Sequence, residues 1–280
     1  MKKVLLCVDL SYQSYRASAA NAKLTSRRIF TGGLYGFFMS FAAAVRETRA
    51  THVAICEDSK PYVRSEEYPD YKIFRARTAD PVLKENHKVS MEMILDTLYE
   101  CGINTWSVKG FESDDLIAHA VDIYEHRFDA IYAQSNDSDL YQLFDKENFH
   151  LYNDGMMKLW NGKRLAKELG ITPQQYMMAT ALTGTHNDIE GIQGVGIKTA
   201  LKALADASLM RKYRDSHGHI IDRNLQLIKL PHASFPRGER LPQHDAQQFN
   251  SRRLVRSLAR YDIDTTSAMV NAFEQLLQYR

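Results

Sequence analysis

Residues 103–139 read INTWSVKGFESDDLIAHAVDIYEHRFDAIYAQSNDSD. The run INTWSV is typical of a short strand, and the segment Ser113–His126 is interpreted as a helix that begins with acidic residues. The run DAIYAQSND is typical of a second strand, with aspartates just beyond its end. A strand, a helix and a strand in succession predict two parallel strands joined by a crossover helix.

The same alternation extends on both sides of this unit. Apolar runs that end in acids, KVLLCVD at 3–9 and THVAICED at 51–58, predict two more strands, and FHLYN at 149–153 predicts another. Helices are predicted over Gly33–Arg49 and His87–Cys101. The fold class is therefore expected to be α/β, with a parallel-rich central sheet and helices on both faces.

The pattern becomes mostly helical after about residue 160, so we divide the chain into an α/β core at 1–160 and a helical part at 161–280. The segment 181–204 reads ALTGTHNDIEGIQGVGIKTALKAL, in which GIQGVG is a glycine-rich turn between two helices. Backbone amides of such a turn can approach a phosphate closely. Residues 214–245 are predicted to be a long loop, followed by closing helices over Gln247–Arg260 and Thr265–Tyr279.

Acidic residues are concentrated in one region, because residues 110–145 carry nine acids and one basic residue. Several of these acids follow predicted strands or begin a helix that follows one. Ligands bind at the carboxyl ends of strands in open α/β sheets. Seven acids from four segments are expected to converge there: Asp9, Asp58, Glu112, Asp114, Asp115, Asp137 and Asp139.

Crowded carboxylates repel one another, and the commonest reason for such a cluster is a hard divalent cation. Mg²⁺ and Mn²⁺ prefer oxygen ligands and keep waters for substrate oxygens. A carboxylate pocket that holds two such ions is suited to cutting a phosphodiester. The ordinary alternative, a solvated helix start, explains the ESDD run alone but not its convergence with the other acids.

Charge is unevenly distributed although the net charge is only +2. Residues 209–260 contain eleven Lys or Arg against four Asp or Glu. An acidic pocket beside a basic surface suits a polyanion, although a plain solvated face is the alternative. The segment after Asp58 interleaves basic and aromatic residues, which suits single-stranded nucleic acid by phosphate contact and base stacking, although a mobile surface loop whose aromatics pack locally is the alternative.

The remaining composition predicts an ordinary globular protein of the cytoplasm, at 44 % hydrophobic and 25 % charged residues. The three cysteines have no zinc spacing and are interpreted as buried residues in a reducing compartment. The uncharged run Ile29–Val45 contains glycines and is short for a membrane span, so a buried helix is expected. Met1–Val8 is too short for a signal peptide.

The ordered set of motifs resembles the 5′-nuclease family, which includes phage flap endonucleases and the 5′-nuclease domain of bacterial DNA polymerase I. The resemblance extends from Lys2 to about Leu204. It is carried by VDLSYQSYRA, CEDSKPYVRSEEYPDYKIFR, GFESDDLIAHAV, SNDSDLYQLF and GIQGVGIKTALKAL. It implies a PIN-like core followed by a helix-three-turn-helix at about 187–205.

The resemblance also implies the roles of individual residues. Four acids would hold a first divalent ion, Mg²⁺ or Mn²⁺: Asp9, Asp58, Glu112 and Asp114. Four would serve a second ion, some through water: Asp115, Asp137, Asp139 and Asp188. Lys72 and Arg64 would contact the scissile phosphate at the base of an arch formed by residues 64–90. DNA contacts would further involve Arg75, Arg77, Gly191, Gly194, Gly196, Lys198 and Thr199, and a K⁺ ion would bind in the turn.

The implied activity is metal-dependent hydrolysis of DNA near a junction of single strand and duplex. Expected partners are DNA with a 5′ flap, overhang, nick or free 5′ end, RNA primer ends, and replication proteins. The chain is expected to act as a monomeric replication or repair nuclease without a membrane or a polymerase domain.

One departure from the family pattern leaves alternatives open. The family usually has glycine-aspartate, two residues, then aspartate-asparagine before the glycine-rich turn, whereas this chain reads Gly184, Thr185, His186, Asn187, Asp188. Thr185 stands in place of the first aspartate, and Asp188 is taken to replace the second. The alternatives are therefore a catalytically weakened DNA-junction binding protein, or a PIN-like ribonuclease.

Overall fold

The computed structural model describes residues 2–78, 80–153, 158–241 and 250–277. The first half alternates strands and helices: β1 (Val4–Asp9), α1 (Leu10–Ala20), β2 (Thr25–Ser26), β3 (Ile29–Phe30), α2 (Gly32–Thr48), β4 (His52–Cys56), α3 (Val63–Glu67), α4 (Ile73–Thr78), α5 (Pro81–Glu100), β5 (Thr105–Trp106), α6 (Ser113–Tyr124), β6 (Ala130–Gln134). A 3₁₀ helix (Ser138–Asp145) precedes β7 (Phe149–Asn153) and β8 (Lys158–Trp160). Helices follow: α7 (Gly162–Leu169), α8 (Pro173–Thr183), α9 (Ile197–Ala205), α10 (Ala207–Ile228), α11 (Ser251–Ala259) and α12 (Ser267–Leu277).

The main sheet has the strand order β5-β4-β1-β6-β7-β8. Every neighbouring pair is parallel except β7 with β8, which is antiparallel. The expected α/β class and its parallel-rich sheet are therefore confirmed. Because β1 lies in the middle, its carboxyl end and those of β4 and β6 meet at one edge of the sheet.

Both faces of the sheet are covered by packed helices. All six residues of β1 are buried, and alternate side chains point to opposite faces. Leu6 and Val8 belong to a core with α2, α5, α11 and α12. Leu5 and Cys7 belong to a second core with α6 and β6. The two closing helices thus pack on the first face of the sheet, through Leu254 and Phe273 among others. The division at residue 160 stays a prediction.

The predicted loop over 214–245 is wrong in its first half, because α10 continues to Ile228. The reason is local: α10 is kinked at His217 (φ −135°, ψ 23°), beside Gly218. A single helical periodicity therefore does not run through this polar sequence, and the sequence does not predict the helix. The predicted helix 87–101 is also part of the longer α5, which begins at Pro81 after the N-cap Asp80. An aspartate before a proline is a recognisable helix start.

The other predicted helices are found close to their expected bounds. The closing helices are α11 and α12, although residues 247–249 and 278–279 of those predictions lie outside the described residues. In the described part of the chain, no helix combines the length and apolarity needed to cross a bilayer.

Candidate metal centre and nucleic-acid interface

Asp9 and Asp58 lie at the carboxyl edge of the sheet, one at the end of β1 and one just beyond β4. The register pairs Asp9 with Cys56, so the two carboxylates follow neighbouring parallel strands. Ser113 connects them, because its hydroxyl donates to Asp9 Oδ1 at 2.9 Å and its backbone N–H donates to Asp58 Oδ1 at 2.8 Å. Ser135 donates to the other oxygen of Asp9 at 3.0 Å. Asp9 also caps α1 by accepting from the Tyr12 N–H.

The first turn of α6 brings three more acids to this edge. Glu112 is the N-cap residue and forms a reciprocal capping box with Asp115, as the positive end of a helix favours. Glu112, Asp114 and Asp115 each offer an oxygen within 4.8 Å of the others. Among the described residues, this is the acidic group that meets the geometry of a metal site.

Asp115 is completely buried and bound to Arg64. Arg64 Nη1 and Nη2 donate to the two Asp115 oxygens at 2.6 and 2.8 Å. The backbone N–H groups of Glu112 and His232 donate to the same carboxylate. Arg64 is only 3 % exposed, and its Nε donates to the Leu227 carbonyl. The guanidinium of Arg64 therefore faces the interior, and its expected contact with a scissile phosphate stays a prediction.

Lys72 is a second basic side chain in contact with the acidic cluster, beside Arg64, whose Nη1 donates to Glu112 Oε2 at 3.1 Å. Its Nζ forms an ion pair with Glu112 Oε1, while the Tyr71 hydroxyl donates to Glu112 Oε2 at 2.7 Å. Tyr62 donates to Asp58 Oδ2 at 3.1 Å. Lys72 has a left-handed backbone, φ 59°, and its N–H donates to the Asn187 carbonyl at 3.0 Å. A non-glycine residue held at positive φ is strained, which is common at functional sites.

Asp137 and Asp139 follow β6 and begin the 3₁₀ helix. Asp137 is the N-cap residue and accepts from the Asp139 N–H at 2.9 Å. The residue from the turn region that approaches Asp139 is Asn187, whose Nδ2 lies 3.5 Å from Asp139 Oδ2. Asp188 instead accepts from the Phe74 N–H at 2.8 Å and so binds the start of α4. In this structure Asn187 thus approaches Asp139, and the expected role of Asp188 at the second ion stays a prediction.

The carboxylates are desolvated and repel one another. Burial, followed by the charge of Asp58, raises the pKa of Asp9 from 3.8 to about 7. Burial and the charge of Asp137 raise the pKa of Asp139 to about 7. Burial and its acidic neighbours raise the pKa of Asp114 well above its usual range. A divalent cation would favour the ionised forms, so this oxygen donor set fits such an ion.

The last residues of the predicted arch, which spans residues 64–90, are joined to α1 by hydroxyl contacts. His87 Nε2 lies 2.9 Å from Ser14 Oγ, and Ser18 Oγ donates to Ser90 Oγ at 3.1 Å, which joins α5 to α1. Arg77, in α4 of the same arch, is exposed. The side chain of Arg75 lies outside the described part, so its predicted DNA contact stays a prediction.

The glycine-rich turn joins α8 to α9, as expected, and its glycines differ in environment. A Cβ at Gly191 would lie 2.2 Å from the Thr183 carbonyl carbon, so only glycine fits there. Gly194 has φ +78°, and a Cβ at Gly194 or Gly196 would meet nothing within 4 Å. Gly196 caps α9, and Lys198 is exposed whereas Thr199 is half-buried. The free side of the turn therefore presents amides and a lysine at a helix N-terminus.

A carboxylate cluster at the edge of a parallel sheet, beside a lysine and a glycine-rich helical turn, defines a metal-dependent nuclease as the class of protein. The family model for the 5′–3′ exonuclease N-terminal, resolvase-like domain matches residues 4–170. A 5′–3′ exonuclease of Aquifex aeolicus is 30 % identical over 205 residues, which cover 72 % of this chain and 69 % of that relative. The chain belongs to the 5′–3′ exonuclease family, whose members are metal-dependent, structure-specific nucleases.

Two further comparisons agree with this membership. DNA polymerase I of Mycobacterium bovis is 30 % identical over 223 residues, covering 77 % of this chain but 24 % of the polymerase. The chain thus spans about a quarter of that relative. The bacteriophage T5 flap endonuclease in complex with DNA and metal ions has the same fold, with a TM-score of 0.69, 16 % identity and 99 % of each chain covered. The PIN-like core is confirmed, and neither the junction-binding nor the ribonuclease alternative is favoured.

Proposed function

We propose that this chain hydrolyses DNA phosphodiesters near junctions of single strand and duplex. The observation that carries the proposal is the convergence of six carboxylates with Lys72 at one sheet edge. The six are Asp9, Asp58, Glu112, Asp114, Asp137 and Asp139. Asp115 is left out because Arg64 and two backbone amides occupy its oxygens.

We assign two divalent ions, Mg²⁺ or Mn²⁺, to these six carboxylates. Asp9, Asp58, Glu112 and Asp114 would hold the first, and Asp137 and Asp139 would hold the second beside the neutral Asn187. Fewer carboxylates at the second position imply weaker binding there. Such ions activate a water and stabilise the leaving oxygen of a phosphodiester.

The remaining side chains would position these groups and neutralise charge. Lys72 Nζ would stabilise the negative charge that develops on the phosphate, because it is a half-buried cation paired with Glu112 inside the carboxylate cluster. Tyr71 and Tyr62 orient Glu112 and Asp58 through their hydroxyl donors. Arg64 acts through Asp115 and is a positioning residue.

The substrate would be recognised by shape and backbone charge. A 5′ single strand, from a flap, overhang, nick, free end or RNA primer, would pass the arch at residues 64–90 beside Arg75 and Arg77. The duplex backbone would bind the turn at Gly194, Gly196, Lys198 and Thr199, whose amides and lysine suit phosphate. Gly191, by contrast, would serve to shape the turn. A K⁺ ion held by carbonyl oxygens of the turn belongs to the same proposal.

The biological setting is proposed from the same family. The chain would act as a monomer in replication or repair in the cytoplasm, together with replication proteins. All three cysteines are free and buried, which is compatible with a reducing compartment.

The proposal is tested with a DNA flap labelled at its 5′ end, incubated with Mg²⁺ or with EDTA. We expect short labelled products with Mg²⁺ only, and none from Asp137→Asn, which should still bind the flap. Cleavage that persists in EDTA or in the variant would contradict the metal assignment. Flap binding without cleavage in Mg²⁺ or Mn²⁺ would instead favour a junction-binding protein. Cleavage of an RNA flap of the same sequence, measured under the same conditions, shows whether the chain prefers DNA or RNA.

A further inference from the structure

A basic cleft lies at the amino edge of the sheet, on the opposite side from the carboxylates. It is formed by the end of α5, the segment leading into β5 and one face of α11, and its volume is about 740 Å³. Its lining includes Tyr99, Glu100 and Asn104 on one side and Arg253, Arg256 and Arg260 on the other. Asn104 directly precedes β5, a strand that runs parallel to β4 towards the carboxylates.

The arginines stand on a firmly packed helix. Leu254 and Leu258 of α11 are fully buried in the core of the first sheet face. Ser257 Oγ lies 3.1 Å from Thr97 Oγ1 of α5 in the same interior, and the Asn250 N–H donates to the Cys101 carbonyl at 3.1 Å. The backbone that carries the arginines is therefore held in place before any ligand arrives, which lowers the entropy cost of binding.

The cleft carries more positive than negative charge. All three arginines are exposed, and their spacing of three and four residues puts them on one side of the helix. Arg260 is paired with Glu100. For Arg253 and Arg256, no carboxylate of the described residues lies within ion-pair distance of the guanidinium. Arg253 Nη1 donates to the Glu100 backbone carbonyl at 3.5 Å, so within the described part of the chain Arg256 and the remaining donors of Arg253 are available for an anionic ligand.

We propose that this cleft binds an acidic peptide segment of a partner protein. Carboxylates would bind Arg253 and Arg256, in the manner in which Glu100 already binds Arg260. Tyr99, which is 80 % exposed, offers an apolar surface to a neighbouring side chain. A continuous line of phosphates fits less well: with Arg260 neutralised by Glu100, the cleft offers two positive charges, which suit a pair of carboxylates, whereas binding along a nucleic-acid backbone grows with the number of phosphates neutralised.

The position of the cleft separates it from the proposed DNA path. The carboxylates, the arch and the glycine-rich turn belong to the opposite edge, so a peptide in the cleft leaves those surfaces open. The basic residues of 209–260, which the sequence groups as one surface, are therefore divided between two locations. The arginines of α11 serve partner binding in this proposal, which goes beyond the proposed hydrolysis.

The test measures fluorescence anisotropy of a fluorescein-labelled nine-residue peptide of Asp and Glu around a central Phe, added to the full chain. A peptide with Asn and Gln in place of the acids is the control. We expect the acidic peptide to bind and to dissociate at high salt. The double variant Arg253→Ala/Arg256→Ala should weaken binding about tenfold or more, with flap cleavage unchanged.

Arg252→Ala provides the matched control, because Arg252 is exposed on the same helix but does not line the cleft. Equal binding of the neutral and acidic peptides would overturn the proposal. So would equal losses in the double variant and in Arg252→Ala. A labelled oligothymidylate is measured in parallel, and if its binding alone falls in the double variant, the cleft is a nucleic-acid site and the peptide proposal is wrong.

Discussion

Arg64 and Asp115 form a buried, bidentate ion pair, with Nη1 to Oδ2 at 2.6 Å and Nη2 to Oδ1 at 2.8 Å. The same guanidinium reaches Glu112 Oε2 at 3.1 Å and the Leu227 carbonyl at 2.8 Å. One side chain thus connects α3, at the start of the arch, with the first turn of α6 and the end of α10. The buried pair thus contacts the cluster on its interior side, whereas the half-buried Lys72 contacts Glu112 nearer to solvent.

Replacing Arg64 with Met should destabilise the chain by about 3 kcal/mol or more, because a buried carboxylate is left without its partner. Urea unfolding followed by circular dichroism measures this loss of unfolding free energy. The double variant Arg64→Met/Asp115→Asn removes the unpaired charge and should regain part of the stability. If the double variant were no more stable than the single one, charge burial would not be the cause.

Lys72→Ala should reduce kcat by about a hundredfold, because it removes a cation proposed to act in the transition state. The Kd for a flap should change only a few-fold. Arg77→Ala, an exposed change in the arch, should instead weaken binding and lower its salt dependence, with little change in kcat. Single-turnover kinetics and binding titrations in Ca²⁺ separate the two effects. Equal losses of kcat and affinity in Lys72→Ala would argue against its role in the chemical step.

The contribution of Asp9 to the unfolding free energy depends on pH, because its pKa is raised to about 7 in the folded chain from an ordinary value of 3.8. Between these values the folded state keeps a proton that the unfolded state has released. Without divalent ions, the contribution of Asp9 to stability is therefore full below about pH 4 and is lost as pH rises towards 7.

Asp9→Asn should consequently be more stable than the wild type at pH 8 in EDTA, and this advantage should shrink as pH falls to 4. Adding Mg²⁺ at pH 8 should stabilise the wild type more than the variant, because ion binding to folded protein adds to unfolding free energy. Thermal unfolding at several pH values provides the comparison. A stability difference that does not vary with pH would contradict the raised pKa.

Two glycines of the turn should respond differently to alanine. Gly191→Ala should cost about 2 kcal/mol or more, because its Cβ would overlap the Thr183 carbonyl group. Gly196→Ala has free space around its Cβ, so stability should be unchanged while duplex binding weakens if a phosphate approaches there. Unfolding curves and duplex titrations distinguish the two, and unaltered duplex affinity in Gly196→Ala would remove the turn from the DNA interface.

Much of this architecture is predictable because the strands are apolar runs that end in acids. Parallel strands bring their carboxyl ends to one edge, so the convergence of Asp9, Asp58 and Asp137 follows from topology alone. The roles of Ser113 and Ser135 could not be predicted, because hydroxyl contacts across 104 and 126 residues depend on the finished packing.

The proximity of Asn187, rather than Asp188, to Asp139 also depends on the folded structure. A one-residue difference in the turn decides which side chain faces Asp139, and composition alone favours the acid. Asp188 has a left-handed backbone at φ 64° and turns towards Phe74. The burial of Arg64 likewise depends on Leu227 and Asp115, which are distant in sequence.

The packing of α12 on α2 has a consequence for how the protein is made. Phe273 is fully buried, and its ring lies 5.0 Å from that of Phe41. The face of the sheet formed by the first hundred residues therefore stays incomplete until residue 273 has left the ribosome. At typical synthesis rates the apolar surface that Phe273 covers is exposed for roughly ten seconds or more before α12 emerges, which is a period in which the nascent chain is open to aggregation.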